Sequence, residues 1–398
     1  MIPAAPKLRF PEFKDPWKPG HAGDAFTNSR AKGAAGLPIY SVTMDRGLVR
    51  RDSMDRLMAA DAADNQNLRA QRGDVVYNMM RMWQGAVGLA HEECMVSPAY
   101  VVLSPRENTS PQFFDQWFKA KRMLHLLGAY SHGITSDRLR LYADDFARIP
   151  LHLPTLPEQQ KIAAFLRMVD SKLVQLTAKH AALARFKAGL MQKLFSQQLR
   201  FMRGDGKAFP EWDVRDLGDI ASRSAKKNKD LAHTRVLTNS AVHGVIDQRD
   251  FFDKDIANSE NLDGYYIVKK GDFVYNPRIS VSAPVGPIKR NDLGDGVMSP
   301  LYTVFRFHDE NTDFFAQYFQ TSLWHDYMKS VANYGARHDR MAITIVDLMA
   351  LPLPFPHPDE QQKIANAISA MDSKIRAVVD QVTNLEAFKK GLLQQMFV

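Results

Sequence analysis

The chain has 398 residues, 45% of them apolar and 24% charged, with a formal net charge of +8 and a pI near 9.3. This length allows two or three domains, and the basic charge favours a polyanionic partner. A single cysteine, Cys94, excludes a disulfide framework. The N-terminus lacks the apolar segment of a signal peptide, and no run reaches the ~18 apolar residues of a membrane span. We therefore expect a soluble cytoplasmic protein without membrane contact.

The first half of the chain, residues 1–153, is predicted to mix strands and helices. Residues 39–42 and 74–77 have the β-branched and aromatic content of strands, bounded by Gly and Asp. Residues 111–127 place aromatic side chains on one face of a predicted helix, as a core requires. Residues 151–154 are rich in proline and predict a stiff hinge.

A long helix is predicted next, over residues 157–195. Apolar residues recur at heptad spacing, which predicts a seam that packs on a partner helix. The predicted seam residues are Ile162, Val169, Leu173, Leu176, Leu183 and Leu190. Pro157 stands at the start, where a missing N–H costs nothing, and Glu158 suits the positive end of the helix dipole. His180 and Lys187 interrupt the apolar pattern and either set the register or face solvent.

The second half, residues 199–354, repeats the landmarks of the first half. Strands are predicted at 272–275 and 302–307, a helix at 313–331 and a second hinge at 353–356. The matched landmarks are Gly73-Asp74 with Gly271-Asp272, Tyr77-Asn78 with Tyr275-Asn276, Ser97-Pro98 with Ser299-Pro300, and Gly133 and Asp137-Arg138 with Gly335 and Asp339-Arg340. This order predicts one fold that carries two specificities.

A second long helix, residues 360–397, repeats the first with a constant shift of 202 residues. Its predicted seam residues are Ile364, Met371, Ile375, Val378, Leu385 and Leu392, and Lys389 repeats the interruption at Lys187. The chain is therefore an internal duplication. Since the first helix ends where the second half begins, we expect an antiparallel pair with one domain at each end. About 38 residues at about 1.5 Å each predict a length of roughly 57 Å.

The sequence contains no recognisable catalyst, and we expect no metal and no cofactor. The histidines are scattered, and Cys94 has no second cysteine with which to share a metal. Gly204-Asp205-Gly206-Lys207 lacks the rest of a phosphate loop and predicts a turn. Asn276-Pro277 lacks the second proline and the aromatic residue of an amino-methyltransferase motif.

The duplicated segments Pro157-Glu158-Gln159-Gln160-Lys161-Ile162-Ala163 and Glu360-Gln361-Gln362-Lys363-Ile364-Ala365 resemble the specificity subunit of type I restriction–modification systems. The resemblance covers the whole chain. It implies an α+β fold with a pseudo-two-fold repeat, in which two target recognition domains, 1–153 and 199–354, are separated by an antiparallel coiled-coil pair of spacer helices, 154–198 and 355–398.

The resemblance also implies a function and partners. Each recognition domain would bind one half of an asymmetric, bipartite site in double-stranded DNA. The helices would dock two methyltransferase subunits, and restriction subunits would join them. The subunit itself would be non-catalytic, because the adenine-specific methyltransferase and ATP-dependent endonuclease activities belong to the partners.

The residues that contact DNA are predicted from charge and from loop position, since Lys and Arg bind phosphates while base edges supply sequence. The candidates near the first strands are Thr43, Asp45, Arg46, Ser240 and His243. The candidates in basic loops are Arg30, Lys32, Arg223, Lys226, Lys227 and Lys229. The candidates at the matched turns are Arg81, Arg138, Arg278, Arg337, His338 and Arg340.

One alternative of another class remains open at this point. The chain could be a structural adaptor whose helices assemble other proteins, with the basic charge incidental. Salt-sensitive binding to one split sequence favours the DNA reader, whereas binding that ignores sequence favours the adaptor.

Overall fold

The computed structural model describes residues 5–54, 64–135, 138–251, 259–333 and 339–397. The chain forms two compact units. The first unit comprises Met1–Lys179 and Val378–Val398, and the second comprises His180–Ala377. Each long helix therefore contributes one part of its length to each unit.

The first unit begins with ten strands and four short helices. These are β1 (Lys18–His21), α1 (Ala22–Ala25), β2 (Phe26–Ser29), β3 (Ile39–Thr43), β4 (Gly47–Arg50), β5 (Leu68–Ala70), β6 (Val75–Asn78), β7 (Val87–Leu89), β8 (Cys94–Val96), β9 (Tyr100–Pro105), α2 (Pro111–Trp117), α3 (Lys121–Ala129), α4 (Ala143–Ala147) and β10 (Pro150–Leu153). The first long helix, α5 (Leu156–Phe195), follows, and 3-10 turns cover Arg51–Ser53 and Met82–Gln84.

The second unit repeats this order with one additional short helix. Its elements are β11 (Asp213–Asp216), α6 (Leu217–Ile220), β12 (Ala221–Arg223), β13 (Leu237–Ser240), β14 (Gly244–Asp247), α7 (Gln248–Phe251), β15 (Tyr266–Val268), β16 (Phe273–Tyr275), β17 (Ile288–Arg290), β18 (Gly296–Met298), β19 (Thr303–Phe307), α8 (Thr312–Tyr318), α9 (His325–Val331), α10 (Ile345–Met349) and β20 (Pro352–Phe355). A 3-10 turn covers Ser259–Gly264, and the second long helix is α11 (Pro358–Gln395).

The two units share one sheet topology. The strand order β2-β9-β6-β7 in the first unit matches β12-β19-β16-β17 in the second, and the pair β1-β10 matches β11-β20. A second sheet, β4-β3-β8-β5, includes a parallel pairing of Ile39 with Met95, and the second unit has a parallel bridge at the matching position, between Val236 and Val297. The predicted α+β fold and its internal duplication are confirmed.

The residues that recur at matched positions in the two halves are mostly residues whose side chains stabilise turns. The carboxylates of Asp74 and Asp272 each accept a backbone N–H from the turn before them, at 2.8 Å in both units. The side chains of Asn78 and Asn276 accept the N–H two residues later, at 3.0 Å. Such local bonds fix the course of a loop, so these residues persist where neighbouring residues have diverged.

The core of each unit contains the predicted aromatic residues, but each predicted helix is two helices. Phe113, Phe114 and Trp117 are buried, and α2 ends at Trp117 before α3 begins at Lys121. The prediction of one helix over 111–127 was wrong, because Ala120 adopts an extended backbone between them. The prediction over 313–331 was wrong as well. There the Thr321 hydroxyl donates to Tyr318 O and accepts from Leu323 N, which ends α8 by local competition for backbone groups.

The proline-rich segments ahead of the long helices are strands, so the prediction of hinges at 151–154 and 353–356 was wrong. β10 pairs antiparallel with β1, and β20 pairs antiparallel with β11. Both sheets have two strands, so every strand is an edge where the missing N–H of proline is tolerated. The predicted turn at 204–207 is present, with Gly206 at φ 81°.

The two long helices run antiparallel within each unit. In the first unit, Ile162 and Leu166 at the start of α5 share a buried cluster with Leu392 and Met396 at the end of α11. In the second unit, the end of α5 shares a cluster with the start of α11. Among the predicted seam residues, Ile162, Val169, Leu176, Ile364, Met371, Val378 and Leu392 are buried, and Leu173, Leu183, Leu190, Ile375 and Leu385 are half-buried.

Two lysines that interrupt the heptads form matching ion pairs. Lys389 Nζ lies 2.6 Å from Asp170 Oδ1 in the first unit, and Lys187 Nζ lies 2.6 Å from Asp372 Oδ1 in the second. Gln116 and Gln317 donate to the other oxygens of these two carboxylates, at 3.1 and 3.4 Å. Each aspartate therefore joins one long helix both to the other and to the short helix that packs on it, which fixes their register.

A buried carboxylate attaches each long helix to the segment before the first strand of its unit. Glu158, 1% exposed, accepts from Arg9 Nε and Nη2 at 2.7 and 2.8 Å and from Trp17 Nε1 at 3.1 Å. Glu360, fully buried, accepts from Arg200 at 3.1 and 2.9 Å and from Trp212 Nε1 at 3.0 Å. We call each arrangement of Arg, Trp and Glu a carboxylate clamp.

The clamp predicts unequal effects for its two charged partners. Arg200→Leu should lower the free energy of unfolding by about 3–5 kcal/mol, because it strands a buried carboxylate. Glu360→Gln should cost less, about 1–2 kcal/mol, because the remaining arginine is one-fifth exposed and reaches water. Urea unfolding of the full chain measures both, with exposed Arg203→Leu as a control that should stay within about 0.5 kcal/mol. Equal losses for the two clamp variants would contradict this account.

Candidate nucleic-acid interface

Two predicted sites form the tips of equivalent β-hairpins. In the first unit β3 turns into β4 through 43–47, and in the second unit β13 turns into β14 through 240–244. The Thr43 hydroxyl accepts from Arg46 N at 3.1 Å, and the Ser240 hydroxyl accepts from His243 N at 3.2 Å. Gly47 and Gly244 close the turns at φ 68° and 71°, a left-handed conformation that glycine adopts without strain.

The side chains at the two hairpin tips differ in chemistry. The first tip exposes Asp45 and Arg46, whereas the second exposes Val242 and His243. Hydrogen bonds from its own backbone N–H and from the Thr43 hydroxyl lower the pKa of Asp45, so this carboxylate is an anionic acceptor. A carboxylate accepts from the cytosine amino group, and an arginine donates to guanine, so the first tip matches base edges that the second does not.

The basic loops lie at the ends of equivalent strands. Arg30 and Lys32 follow β2, and Arg223 ends β12 with Lys226, Lys227 and Lys229 after it; all six side chains are exposed. The second loop is rigid at its centre, because buried Asn228 donates to His233 O and accepts from His233 N. This loop therefore holds exposed lysines on an ordered backbone.

The matched turns converge in each unit. In the first unit, Arg81 and Arg138 line one cleft of about 890 Å³. In the second unit the main chain of Arg278 pairs with that of Arg340. Arg337 and His338 lie outside the described residues, as do Asp137 and Gly335. The structure thus brings together, within each unit, arginines that are distant in sequence.

Most residues of the cleft were missed by sequence reasoning, and two of them are polar side chains next to Arg138. Arg140 and Tyr142 line it beside Arg138, with buried Leu141 between them. The sequence contained a signal for these two residues. Alternate residues of an extended segment face the same side, so Arg140 and Tyr142 are expected to share a face with Arg138. Main-chain hydrogen bonds also join these segments to the residues that follow the matched Tyr-Asn pairs, from Leu141 N to Met79 O and from Met341 N to Pro277 O.

Groups capable of covalent or metal chemistry are not assembled in the part of the chain that the structure describes. No cluster of His, Cys, Asp and Glu there could hold a metal ion. Burial raises the pKa of the Cys94 thiol to about 12, so it is no nucleophile. The buried side chain of Asn276 donates to Asn239 O, which leaves it inside the fold. Among the described helices, none combines the length and apolar character needed to cross a membrane.

These observations define a duplicated α+β protein, in which one repeated frame presents two different sets of exposed polar and basic side chains. The sequence matches the family of type I restriction modification DNA specificity domains twice, over residues 24–183 and 210–385. The two matches cover most of the chain, and the chain belongs to this family.

Curated relatives and solved structures agree with this assignment. The chain is 24% identical over 268 residues to the type I restriction enzyme MjaVIII specificity subunit of Methanocaldococcus jannaschii, and 25% identical over 264 residues to the MjaX specificity subunit of the same organism. These alignments cover 62% of this chain and 61% and 57% of the two relatives, so the chain spans about three-fifths of their length.

Three solved structures share the fold. The HsdS subunit from Thermoanaerobacter tengcongensis aligns over 98% of both chains with a TM-score of 0.53 and 16% identity. The type I restriction-modification S subunit from M. genitalium aligns over 99% of both chains with a TM-score of 0.54 and 14% identity. A third chain was solved in work on complex assembly and conformational transition of the type I R-M system. It aligns over 97% of this chain and 99% of its own length, with a TM-score of 0.56 and 15% identity.

The lysine loop predicts a loss of affinity without a loss of sequence preference. Replacing Lys226, Lys227 and Lys229 with Ala should weaken binding to cognate and scrambled duplexes alike, because a lysine suits phosphates better than base edges. The slope of log K against log salt should fall by up to about 3. Salt titrations measure both, with exposed Lys172, Lys179 and Lys193 of α5 changed together as a charge-matched control. A loss confined to the cognate duplex would contradict the assignment.

The second hairpin tip predicts the opposite behaviour. His243→Ala should relax the preference at one base pair by about 1–3 kcal/mol and leave the salt slope nearly unchanged, because a base-edge contact releases no counterion. Binding to a set of single-base variants of the cognate site measures this change. Val242→Ala, at the neighbouring exposed position, is the matched control. An equal loss of affinity for all sequences would show that this loop contacts the backbone instead.

Proposed function

We propose that this protein is the DNA sequence-specificity subunit of a type I restriction–modification enzyme. One observation carries the proposal. The same frame occurs twice and keeps its turn-forming residues, while the hairpin tips at 43–47 and 240–244 carry different side chains. A frame that is kept while its exposed tips diverge is what two readers with different targets require. Membership of the specificity-domain family supports this reading.

Each half of the chain reads one half of a split, asymmetric DNA site. In this proposal residues 1–153 and 199–354 are the two target recognition domains, and 154–198 and 355–398 are spacer helices. The first spacer helix, α5, has 40 residues, or about 60 Å at about 1.5 Å per residue. A duplex of that length contains about 18 base pairs, enough for two half-sites separated by about one helical turn.

Within each domain the candidate residues divide by chemistry. The lysines and arginines of the basic loops neutralise phosphates, which supplies affinity and orientation. Asp45, Arg46 and His243 at the tips reach base edges, where hydrogen-bond patterns distinguish base pairs. The cleft formed by Arg81, Arg138 and Arg140 takes a further phosphate or a guanine edge, because its guanidinium groups suit both acceptors.

In this proposal the methylation and cleavage reactions are carried out by other subunits. In this proposal the two long helices dock two methyltransferase subunits, and restriction subunits join to complete the nuclease. The described residues include exposed basic and polar side chains but no activated nucleophile, which suits a non-catalytic role. The complex would work in the cytoplasm, where its DNA substrate lies.

A domain exchange tests the proposal. Replacing residues 1–153 with the same region of another family member should change one half of the recognised sequence and leave the other half intact. Selection from a random duplex library, with a methyltransferase subunit added, measures the site before and after exchange. The matched control exchanges residues 199–354 and should change the other half.

Two results would overturn the proposal. A change in both half-sites after a single exchange would contradict independent readers. Binding by the unaltered chain that ignores sequence would favour a structural adaptor.

A further inference from the structure

Two phenylalanines on the long helices are exposed. Phe186 of α5, in the second unit, is 61% exposed, and Phe388 of α11, in the first unit, is 52% exposed. They are the same residue of the repeat, since 388 − 186 equals the shift of 202 residues. An exposed aromatic ring at one place is ordinary, but the same exposed ring kept in both repeats indicates a shared use.

A glycine follows each phenylalanine by three residues and therefore lies on the same face of its helix. A Cβ atom added to Gly189 or to Gly391 would meet nothing within 4 Å, and neither residue has a positive φ. Glycine weakens a helix interior relative to alanine, so packing within this chain gives no reason for it. Each repeat thus presents a ring beside a position where another backbone can approach closely.

Two other exposed apolar side chains of these helices have not been kept. Val174, 69% exposed, corresponds to Arg376, and exposed Met168 corresponds to Ala370. The exposed phenylalanine is therefore retained where other exposed apolar side chains of the same helices have changed. Since the hairpin tips of the two units also differ, the occupant of the face is something that both repeats share.

The charge around Phe186 is positive, and the charge around Phe388 is mixed. Residues 171–204 contain no Asp or Glu, whereas exposed Glu386 lies two residues before Phe388. Arg185 and Lys193 are exposed near Phe186, and Lys390 is exposed near Phe388, whereas Lys187 and Lys389 are held by the ion pairs described above. An occupant that complements both faces has a pocket for an aromatic ring and acidic groups opposite the exposed basic side chains.

We propose that the two Phe-x-x-Gly faces are the anchor points for two copies of one partner protein. This inference rests on the proposed function, in which that partner is the methyltransferase subunit. Each phenylalanine enters an apolar pocket of one copy, and each glycine admits a backbone segment of the same copy. Buried aromatic anchors of this kind carry much of the affinity of an interface.

Stoichiometry tests the inference. Gly189→Leu should leave one bound methyltransferase per chain in place of two, Gly391→Leu should do the same, and the double variant should bind none at the concentration that saturates the wild type. Phe186→Ser and Phe388→Ser should each weaken one of the two binding steps at least about tenfold. Native mass spectrometry and titration calorimetry with a purified type I methyltransferase subunit from the same source measure these outcomes.

Controls separate docking from folding and from the proposed function. Leucine is a better helix former than glycine, so the Gly variants should keep or raise the melting temperature, and all variants should keep their DNA affinity. Val174→Ser should keep two bound copies. If the wild type binds two copies and the Gly and Phe variants also bind two with unchanged affinity, this inference falls and the proposed function stands. If the wild type binds none, both fall.

Discussion

The structure of each unit depends on a buried carboxylate that cannot stand alone. Glu158 and Glu360 lie at the starts of the long helices with at most 1% exposure, and a charge so placed is tolerated only when donors surround it. Arg9 and Trp17 supply those donors in one unit, and Arg200 and Trp212 supply them in the other. Because the donors come from the segment that precedes the first strand, the clamp connects the start of a helix to the start of a domain. The strand before each long helix, β10 or β20, is thereby held at both ends, by its pairing with the first strand of the unit and by the clamp at the start of the helix.

The repeated fold and the exposed hairpin tips are under different constraints. Side chains that hold a turn or a carboxylate recur in both units, because losing one leaves a buried polar group without a partner. The exposed tips have no such constraint. Thr43 and Ser240 keep the hydroxyl that closes their hairpins, whereas Arg46 and His243, which end the same turns, differ. Divergence of the tips therefore costs the fold little, and a change of target requires no change of frame.

The long helices combine a packing face with a face that packing does not explain. Lys187 and Lys389 pair with aspartates of the opposite helix, which sets their register. One residue before each lysine stands an exposed phenylalanine, and two residues after it stands an unconstrained glycine. Residues that lower the stability of the isolated chain and are nevertheless kept are a common sign of function. The pair recurs in both repeats, as binding of one partner twice requires.

The amino-acid sequence is sufficient to predict the duplication, the two long helices and the α+β class of each half, because heptads, strand patterns and a constant shift of 202 residues are local or periodic signals. It did not determine the breaks between α2 and α3 and between α8 and α9, since both helices of each pair bury the same aromatic core whether or not they are continuous. Nor did it reveal that Pro150–Leu153 and Pro352–Phe355 are strands, because pairing with β1 and β11 over more than 100 residues overrides the local preference of proline. The partners of Glu158, and the cleft that joins Arg81 to Arg140, were likewise decided only by tertiary structure. A contact between distant residues depends on how the sheets bring loops together, and no spacing in the sequence encodes that distance.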